Sequence, residues 1–467
     1  MERKNAWLSY DEDRKKAVMA LNEEYRQYIT AGKTERECVE QTVTLARLAG
    51  YISLEEAVKA GKTLKAGDKV YADIMGKSLA LFNIGEEPME QGLNILGAHI
   101  DSPRLDLKQN PLYEDTELVL LDTHYYGGIK KYQWVTLPLA LHGVVAKKDG
   151  SVQKVVIGED PQDPVLVITD LLPHLAQNQM SKGAASVIEG EKLDLLIGSE
   201  PVLKEEEKND KKDKKGSVLE NIKALLKDRY GIEEEDFLSA ELEVVPAGAA
   251  RDLGLDRSMI LGYGHDDRIC AFTSLVAQLT VKNPKRTAVC LLVDKEEIGS
   301  VGATGMHSRF FENTVAEVME LAGQYSELAL RRCLMSCRML SSDVSAAFDP
   351  AFADAFEKKN CAYLGRGLVF NKYTGSRGKS GSNDCSAEYM AKIRRIMDDA
   401  GVYWQTAELG KVDQGGGGTI AYIAGNYGME VVDAGIAILS MHAPWEAASK
   451  ADIYEAVKGY QAFLENA

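Results

Sequence analysis

The residues with the clearest chemical potential are two adjacent carboxylates, Glu296 and Glu297. They follow residues 286–292, a short and mostly apolar run that predicts a buried strand. In open α/β sheets, ligands bind at the carboxyl ends of strands, so the pair stands at a suitable place for a site. Two neighbouring glutamates suggest one proton carrier and one metal ligand. Taken alone, however, such a pair is more often part of a solvated loop.

Other metal-binding side chains occupy similar positions. Each ends or follows an apolar run that predicts a strand, or precedes a predicted helix: His99, Asp101, Asp266, Asp343 and His442. Each also has an ordinary explanation as a turn residue, a helix N-cap or a packed histidine. Their occurrence at the ends of successive strands is hard to explain as coincidence. The sequence therefore predicts one site that gathers these side chains around the glutamate pair.

The donor types indicate which metals such a site would bind. Imidazole nitrogens and carboxylate oxygens suit zinc, manganese or cobalt. Two histidines, two aspartates and one glutamate are more protein ligands than one catalytic zinc needs. A carboxylate shared between two ions is the simplest solution, so the pattern predicts a two-metal site.

The elements that must position these residues predict an α/β fold, a mixed sheet flanked by helices. The pattern of residues 10–31 predicts an amphipathic helix, and a capping box at 34–37 predicts the start of a second helix. A further helix is predicted near 314–331, and a single strand is predicted over 433–439.

The sequence pattern changes between residues 103 and 255, where short β-like runs replace long stretches with helical periodicity. We therefore predict a catalytic domain formed by residues 1–102 and 256–467, interrupted by an inserted, mostly β domain. Within the insertion, residues 204–216 form a run of mixed charges that cannot bury apolar surface. This run predicts a mobile loop.

Bulk properties exclude several classes of partner. The formal net charge of −16 argues against nucleic acid and against an anionic membrane. The N-terminus lacks the apolar region of a secretory signal, and no apolar run is long enough to span a bilayer. The seven cysteines are scattered and odd in number, which indicates reduced thiols. A cytoplasmic protein is the expectation.

The same residues resemble the aspartyl aminopeptidase family of dinuclear zinc aminopeptidases, in its bacterial branch. The matching motifs follow one another over essentially the whole chain and lie at residues 98–104, 264–268, 294–300, 341–343 and 440–442. The Asp-Asp-Arg triplet at 266–268 departs from many relatives, although the ligand itself is kept. The resemblance implies a zinc exopeptidase-like fold and hydrolysis at a free N-terminus, with Asp or Glu as the preferred first residue.

The resemblance also implies roles for individual residues. One metal ion would be held by His99, Asp266 and Asp343, and the other by Asp266, Glu297 and His442. Asp101 would orient the His99 ring, and Glu296 would be the general base. The ions would be two per subunit, zinc first, with cobalt or manganese as alternatives.

The inserted domain would make subunit contacts, in a tetrahedral dodecamer. From it, His174 would reach a neighbouring active site. Lys372, in a polar and Gly-rich stretch, could recognise an acidic substrate side chain, although such a stretch is more often an ordinary loop. Two rival functions stay open: a metal-dependent deacylase or carboxypeptidase with the same type of site, and a catalytically silent assembly protein.

Overall fold

The secondary structure is that of a computed structural model, which describes residues 4–203 and 216–467. In these residues the α-helices are α1 Glu12–Ala31, α2 Glu35–Leu48, α3 Leu54–Lys59, α4 Gln177–Met180, α5 Ala184–Val187, α6 Val218–Tyr230, α7 His265–Thr280, α8 Phe310–Leu321, α9 Glu327–Met335, α10 Ala387–Asp399, α11 Ala421–Gly425 and α12 Lys450–Asn466. The strands are β1 Ile52–Ser53, β2 Lys69–Ile74, β3 Ser78–Asn83, β4 Asn94–His99, β5 Arg104–Asp115, β6 Leu118–Tyr126, β7 Leu139–Ala146, β8 Val152–Ile157, β9 Val167–Ile168, β10 Leu195–Gly198, β11 Ala240–Pro246, β12 Arg251–Leu253, β13 Met259–Gly262, β14 Ala288–Val293, β15 Arg338–Ser341, β16 Ser345–Ala346, β17 Leu368–Asn371, β18 Trp404–Thr406, β19 Glu430–Gly435, β20 Ala437–Leu439 and β21 Glu446–Ser449.

The contacts between residues divide the chain into two units. Unit 1 comprises Met1–Ser102, Ala250–Met441 and Trp445–Ala467, and unit 2 comprises Pro103–Ala249 and His442–Pro444. The predicted insertion also starts at residue 103, whereas its predicted end was residue 255. Residues 204–215, which form nearly all of the predicted mobile loop, lie outside the described residues.

Unit 1 is built on a nine-stranded mixed sheet with the order β1-β2-β3-β14-β4-β15-β19-β17-β18. Strand β4 lies between β14 and β15 and is parallel to both, whereas β3 runs antiparallel to β14. A second sheet has the order β12-β13-β21-β20-β16. The mixed sheet and the helices beside it confirm the predicted α/β class.

Hydrophobic side chains pack on both faces of the nine-stranded sheet. Alternate residues of a strand point to opposite sides, so each strand contributes to both faces. In β14, Cys290 and Leu292 belong to one hydrophobic cluster, together with residues of α1, α7 and α12. Val289 and Leu291 belong to another cluster, together with residues of α8, α9 and α11. Strands that are buried on both faces have continuous apolar runs in their sequence, so they are easily predicted.

Unit 2 contains a seven-stranded sheet with the order β8-β7-β11-β5-β6-β10-β9. Its neighbouring strands pair antiparallel throughout. Helix α6 packs on this sheet through Val218 and Ile222, which cluster with Val119. Unit 2 is thus a mostly β unit, and the inserted domain stays a prediction.

Two predicted elements are wrong in detail. The single helix near 314–331 is two helices, α8 and α9, because the chain turns at Gly323 with φ +66° and restarts where the Ser326 side chain caps α9. The single strand over 433–439 is two strands, β19 and β20, which belong to different sheets. A Cβ added at Gly435 would lie 1.6 Å from the Asp343 carbonyl oxygen, so a side chain there would displace Asp343.

Candidate metal centre

Three neighbouring strands of unit 1 deliver the predicted residues to one edge of the sheet. Strand β4 ends at His99, which is level with Val293, the last residue of β14. Ser341, at the end of β15, is level with Gly97 of β4. Because β14, β4 and β15 are parallel, the segments that follow them leave the sheet on the same side. His99, the glutamate pair and Asp343 are therefore brought together.

The His99 ring lies between carboxylates. Its Nδ1 is 3.0 Å from the Asp101 carbonyl oxygen and 3.3 Å from Asp101 Oδ1. Its Nε2 is 3.2 Å from Asp266 Oδ1 and 3.9 Å from Asp343 Oδ1. Burial lowers the pKa of His99, but hydrogen bonds to Asp101 and Asp266 outweigh burial and raise it well above its usual value. The site thus strongly favours a positive charge at this position.

Asp101 holds the glutamate pair through the backbone. Its Oδ1 accepts the Glu296 amide and its Oδ2 accepts the Glu297 amide, each at 3.1 Å. The carboxylate is completely buried. Lys295, just before the pair, adopts φ +68°, which turns the chain into the short 3₁₀ helix Glu296–Ile298. Asp101 therefore fixes both the ring of His99 and the turn that carries the two glutamates.

Asp266 stands at the first turn of α7, where backbone contacts hold it from both sides. Its amide donates to Glu446 Oε2 at 3.0 Å, and its carbonyl accepts the Ser102 hydroxyl at 2.5 Å. Asp266 and Asp267 depart from helical backbone angles, so the helical conformation becomes regular only after them. This irregular start directs the Asp266 carboxylate towards His99.

The sequence prediction missed Asp267 as a member of this cluster. Ligand atoms of His99, Asp267 and Asp343 lie within 4.8 Å of one another. Burial and the neighbouring carboxylates raise the pKa of Asp343 and hold the pKa of Asp267 well above its usual value. The adjacent acids of the Asp-Asp-Arg triplet were the available signal for this residue.

Buried carboxylates of this density fit a divalent cation. A cation would lower the pKa of the crowded acids and would replace the proton that His99 otherwise attracts. The donors are oxygen atoms and an imidazole nitrogen, which are the ligands that zinc and similar ions take in proteins. The residues present therefore fit the predicted metal.

The other predicted residues are His442, His174 and Lys372. His442 belongs to unit 2, where its Nδ1 is 2.8 Å from the Gly128 carbonyl oxygen. His174 is exposed in the 3₁₀ turn Pro173–Leu175 of unit 2. Lys372 is half-exposed, and its Nζ is 3.9 Å from Asp384 Oδ1. For these three residues, the predicted roles stay predictions.

Residues 28–464 match the family model described as aminopeptidase I zinc metalloprotease (M18). The chain belongs to the M18 family of zinc aminopeptidases. It is therefore a hydrolase that acts as an exopeptidase, and the resemblance seen in the sequence is confirmed at the level of the family.

Individual M18 relatives match over all or nearly all of their lengths. A probable M18 family aminopeptidase 1 of Clostridium acetobutylicum is 61% identical over 465 residues, covering 100% of this chain and 98% of the relative. The crystal structure of aminopeptidase I from the same organism superposes with a TM-score of 0.92 at 57% identity, covering all of both chains. An M18 aminopeptidase structure from Thermotoga maritima gives 0.93 at 42% identity, again with complete coverage of both chains.

In this M18 chain a small cavity of about 90 Å³ adjoins the carboxylate cluster within unit 1. Asp266, Glu296 and Asp343 form part of its wall, so a bound substrate would meet the site there. Among the described helices, none combines the length and apolar character that a membrane span requires.

Proposed function

We propose that this M18 aminopeptidase removes the N-terminal residue of peptides with the aid of two divalent metal ions per subunit. The observation that carries the proposal is the position of His99, between Asp101 on its Nδ1 side and Asp266 on its Nε2 side, at 3.3 Å and 3.2 Å. A histidine that ligates a metal commonly has a carboxylate on its other nitrogen, which fixes the tautomer and raises the basicity of the ligand.

The ligands divide into two sets that share one carboxylate. His99, Asp266 and Asp343 would hold one ion, and Asp266, Glu297 and His442 would hold the other. The contact of His442 Nδ1 with Gly128 leaves Nε2 as its metal-binding nitrogen. Zinc is the first candidate for both ions, since the family is described as a zinc metalloprotease, with cobalt and manganese as alternatives.

Glu296 is the proposed general base. Its side chain is 16% exposed and its Oε2 lies 4.0 Å from His99 Nε2, so it stands beside the metal ligands and still meets solvent. When bound, the ions supply Lewis-acid polarisation of the scissile carbonyl and make water more acidic. Glu296 accepts the proton of the attacking water and returns it to the amine as the C–N bond breaks. Glu297 is excluded as the base, because a ligated carboxylate is a poor proton acceptor.

A matched pair of variants tests this division of roles. Glu296→Gln keeps the size of the side chain and should retain both ions while kcat falls about 10³-fold or more. Glu297→Gln, one residue further on, should lose metal content together with activity. Metal is measured by elemental analysis of the purified protein, and activity with aminoacyl fluorogenic substrates. Near-normal turnover of Glu296→Gln would remove the proposed base.

The rival activities differ in what they require of the substrate. An aminopeptidase needs a free amino group, whereas a deacylase or carboxypeptidase with the same type of site would accept an N-acetylated substrate. Comparing a dipeptide with its N-acetylated form separates these functions. An enzyme that is fully loaded with metal and cleaves neither form would support a silent assembly protein instead.

Assembly into a homo-oligomer is a further part of the proposal. A yeast structure with this fold, at 19% identity, is described as the dodecamer of mApe1. We propose a tetrahedral dodecamer here too, with the His174 turn of unit 2 reaching a neighbouring active site, and a cytoplasmic location. Mass photometry gives the number of subunits. His174→Ala should stay assembled but lose activity, and full activity of that variant would rule out the role of His174.

The resemblance also predicts a preference for N-terminal Asp or Glu, with Lys372 as the side chain that would recognise the acid. Lys372 is not among the residues that line the cavity beside the metal site, and its nearest acidic neighbour is Asp384. The preference therefore stays a prediction for which the cavity provides no support. A panel of substrates with different first residues tests it.

A further inference from the structure

The amino ends of the central strands of unit 1 carry a group of cations that the candidate metal centre does not use. Arg286 precedes β14, Arg338 is the first residue of β15, and Lys392 lies on α10. The carboxyl ends of the same strands lead to the candidate metal centre. The six residues of β4 span the distance between the two edges, which puts roughly 15 Å between the cations and that centre. These cations stand in a chain whose formal net charge is −16.

The register of the sheet brings the two arginines towards each other. Ala288 of β14 and Arg338 of β15 are both level with Asn94 of β4, the strand between them. The Arg286 side chain reaches across β4, because its Nη1 donates to the Ser336 carbonyl at 3.3 Å. Both guanidinium groups therefore lie near the start of β15.

Helix α10 adds Lys392 to the pair. The Tyr389 hydroxyl donates to the Met339 carbonyl of β15 at 3.0 Å, and Lys392 lies one turn further along the same face of α10. Burial, and after it the charges of Arg338 and Arg286, lower the pKa of Lys392 to about 8. Burial and the Arg338 charge also lower the pKa of Arg286. The three cations are thus close enough to repel one another.

The neighbouring acids offset this charge only in part. Glu87 Oε2 is 3.6 Å from Arg286 Nε, and Glu430 Oε2 is 3.3 Å from Arg338 Nε. Lys392 forms no ion pair or hydrogen bond with any described residue. The side chains of Arg286 and Arg338 are only 15% and 23% exposed, so water hydrates them incompletely. Excess positive charge in a partly buried place is costly unless an anion joins it.

We propose that Arg286, Arg338 and Lys392 bind a small divalent oxyanion of the phosphate class, either the free ion or the end of a phosphate ester. Guanidinium groups present paired N–H donors that match phosphate oxygens, and a lysine adds a point charge. Both Nη atoms of Arg338 and Nη2 of Arg286 form no hydrogen bond with described residues, so they can donate to a ligand. A bound anion would connect the starts of β14 and β15, the strands that lead to the glutamate pair and to Asp343.

A titration of the purified, metal-loaded protein tests the site. Isothermal titration calorimetry is carried out with sulfate, inorganic phosphate and glycerol phosphate, in chloride that keeps the ionic strength constant. Lys392→Gln should weaken the binding of sulfate and phosphate about tenfold or more, since it removes a charged donor. Arg394→Gln removes an exposed cation of the same helix that has no ion pair, and it should leave binding unchanged.

The same titrations contain the results that would overturn the inference. No saturable binding of sulfate or phosphate to the parent protein would be one of them. Equal affinity of the parent and Lys392→Gln would be another, because the anion would then be bound elsewhere, for example at the metal ions. Glycerol phosphate separates the two sources of the ligand: affinity near that of phosphate supports a site open to esters, and much weaker binding supports a site for the free ion.

A charge reversal provides a second, independent measurement. Lys392→Glu places a carboxylate beside the two guanidinium groups, so in chloride it should unfold at a higher temperature than the parent protein. Sulfate stabilises proteins in general, so its effect is compared between the two. It should raise the unfolding midpoint of the parent by about 2 °C more than that of Lys392→Glu. An equal response, or a lower midpoint of the variant in chloride, would contradict the inference, and if Lys392→Glu does not fold, the titration of Lys392→Gln decides.

Discussion

Two buried aspartates of unit 1 each accept hydrogen bonds from two backbone amides. Asp101 accepts the amides of Glu296 and Glu297, each at 3.1 Å. Asp452, in the first turn of α12, accepts the amides of Gly365 and Gly367 at 2.7 Å and 2.6 Å. Both side chains are completely buried. A carboxylate that accepts two backbone amides is therefore not in itself a sign of catalysis.

The difference lies in what each aspartate holds. Asp101 fixes a turn that carries two carboxylates, and it also contacts the His99 ring. Asp452 fixes the backbone amides of Gly365 and Gly367, two residues that have no side chain. The same pair of hydrogen bonds thus positions carboxylates of the candidate site in one case and only backbone in the other. Variants of the two aspartates should separate these roles.

The largest effect is expected for Asp101→Asn. Asparagine offers one carbonyl oxygen in place of two acceptors, so one of the two glutamate amides loses its partner. Because Asp101 also orients His99, kcat/KM should fall about a hundredfold. Steady-state kinetics and metal analysis of the folded variant provide the measurement. If Asp101→Asn were as active as the parent protein, its hydrogen bonds would be no more than structural.

Asp452→Asn should lower the stability of the protein and leave its activity unchanged. At pH 5 the free energy of unfolding should fall by about 2 kcal/mol, since one buried amide loses its acceptor. The activity per folded molecule should stay that of the parent, because the loop contributes nothing to the metal site. Denaturant unfolding at pH 5 and kinetics on the same preparation test both expectations. A loss of kcat without a loss of stability would contradict the comparison.

The pH dependence of stability sharpens the comparison further. Burial raises the pKa of Asp452 from 3.8 to about 7. Between these values the folded state binds more protons than the unfolded state, so stability should fall as the pH rises, by at most about 1.4 kcal/mol per pH unit. Above the folded pKa the contribution of Asp452 is lost. Unfolding of the parent and of Asp452→Asn from pH 4 to pH 8 should therefore give curves that approach each other as the pH rises, and parallel curves would exclude this titration.

The smallest effect is expected for Ser102→Ala. The change removes the hydroxyl that donates to the Asp266 carbonyl at 2.5 Å. One hydrogen bond contributes about 1 kcal/mol, so stability should fall by that amount and activity only slightly. Thermal unfolding with and without added zinc is the measurement. A larger loss in the zinc-loaded protein would show that the hydroxyl positions Asp266 for the metal.

The sequence predicted most of the fold that surrounds the site, because a strand buried on both faces appears as an uninterrupted apolar run. The ends of β4, β14 and β15 were recognisable in this way, and so was the capping box of Thr34 and Glu37 at α2. The order of the strands in the sheet is set by long-range packing and leaves no mark on the local pattern. For the same reason the division of residues 433–439 between two sheets could not be foreseen.

Some features of the site could not be predicted from the sequence either. Glu446 is buried where it accepts the amide of Asp266, yet the two residues are far apart in the chain. Asp267 was taken as the neighbour of a ligand, since the direction of its side chain depends on the irregular start of α7. His442 was predicted from its position after an apolar run. That run is divided between β19 and β20, which belong to different sheets, and His442 itself belongs to unit 2.

The delivery of site residues by three adjacent strands has a consequence for the synthesis of the protein. His99 leaves the ribosome first, whereas its partner strand β15 and the acid after it follow only once residues 103–249 of unit 2 have been made. At 5–20 residues per second, the delay between His99 and Asp343 is roughly ten to fifty seconds. During this time no nascent chain can bring His99 and Asp343 together, so the candidate site cannot form before residue 343 has been made.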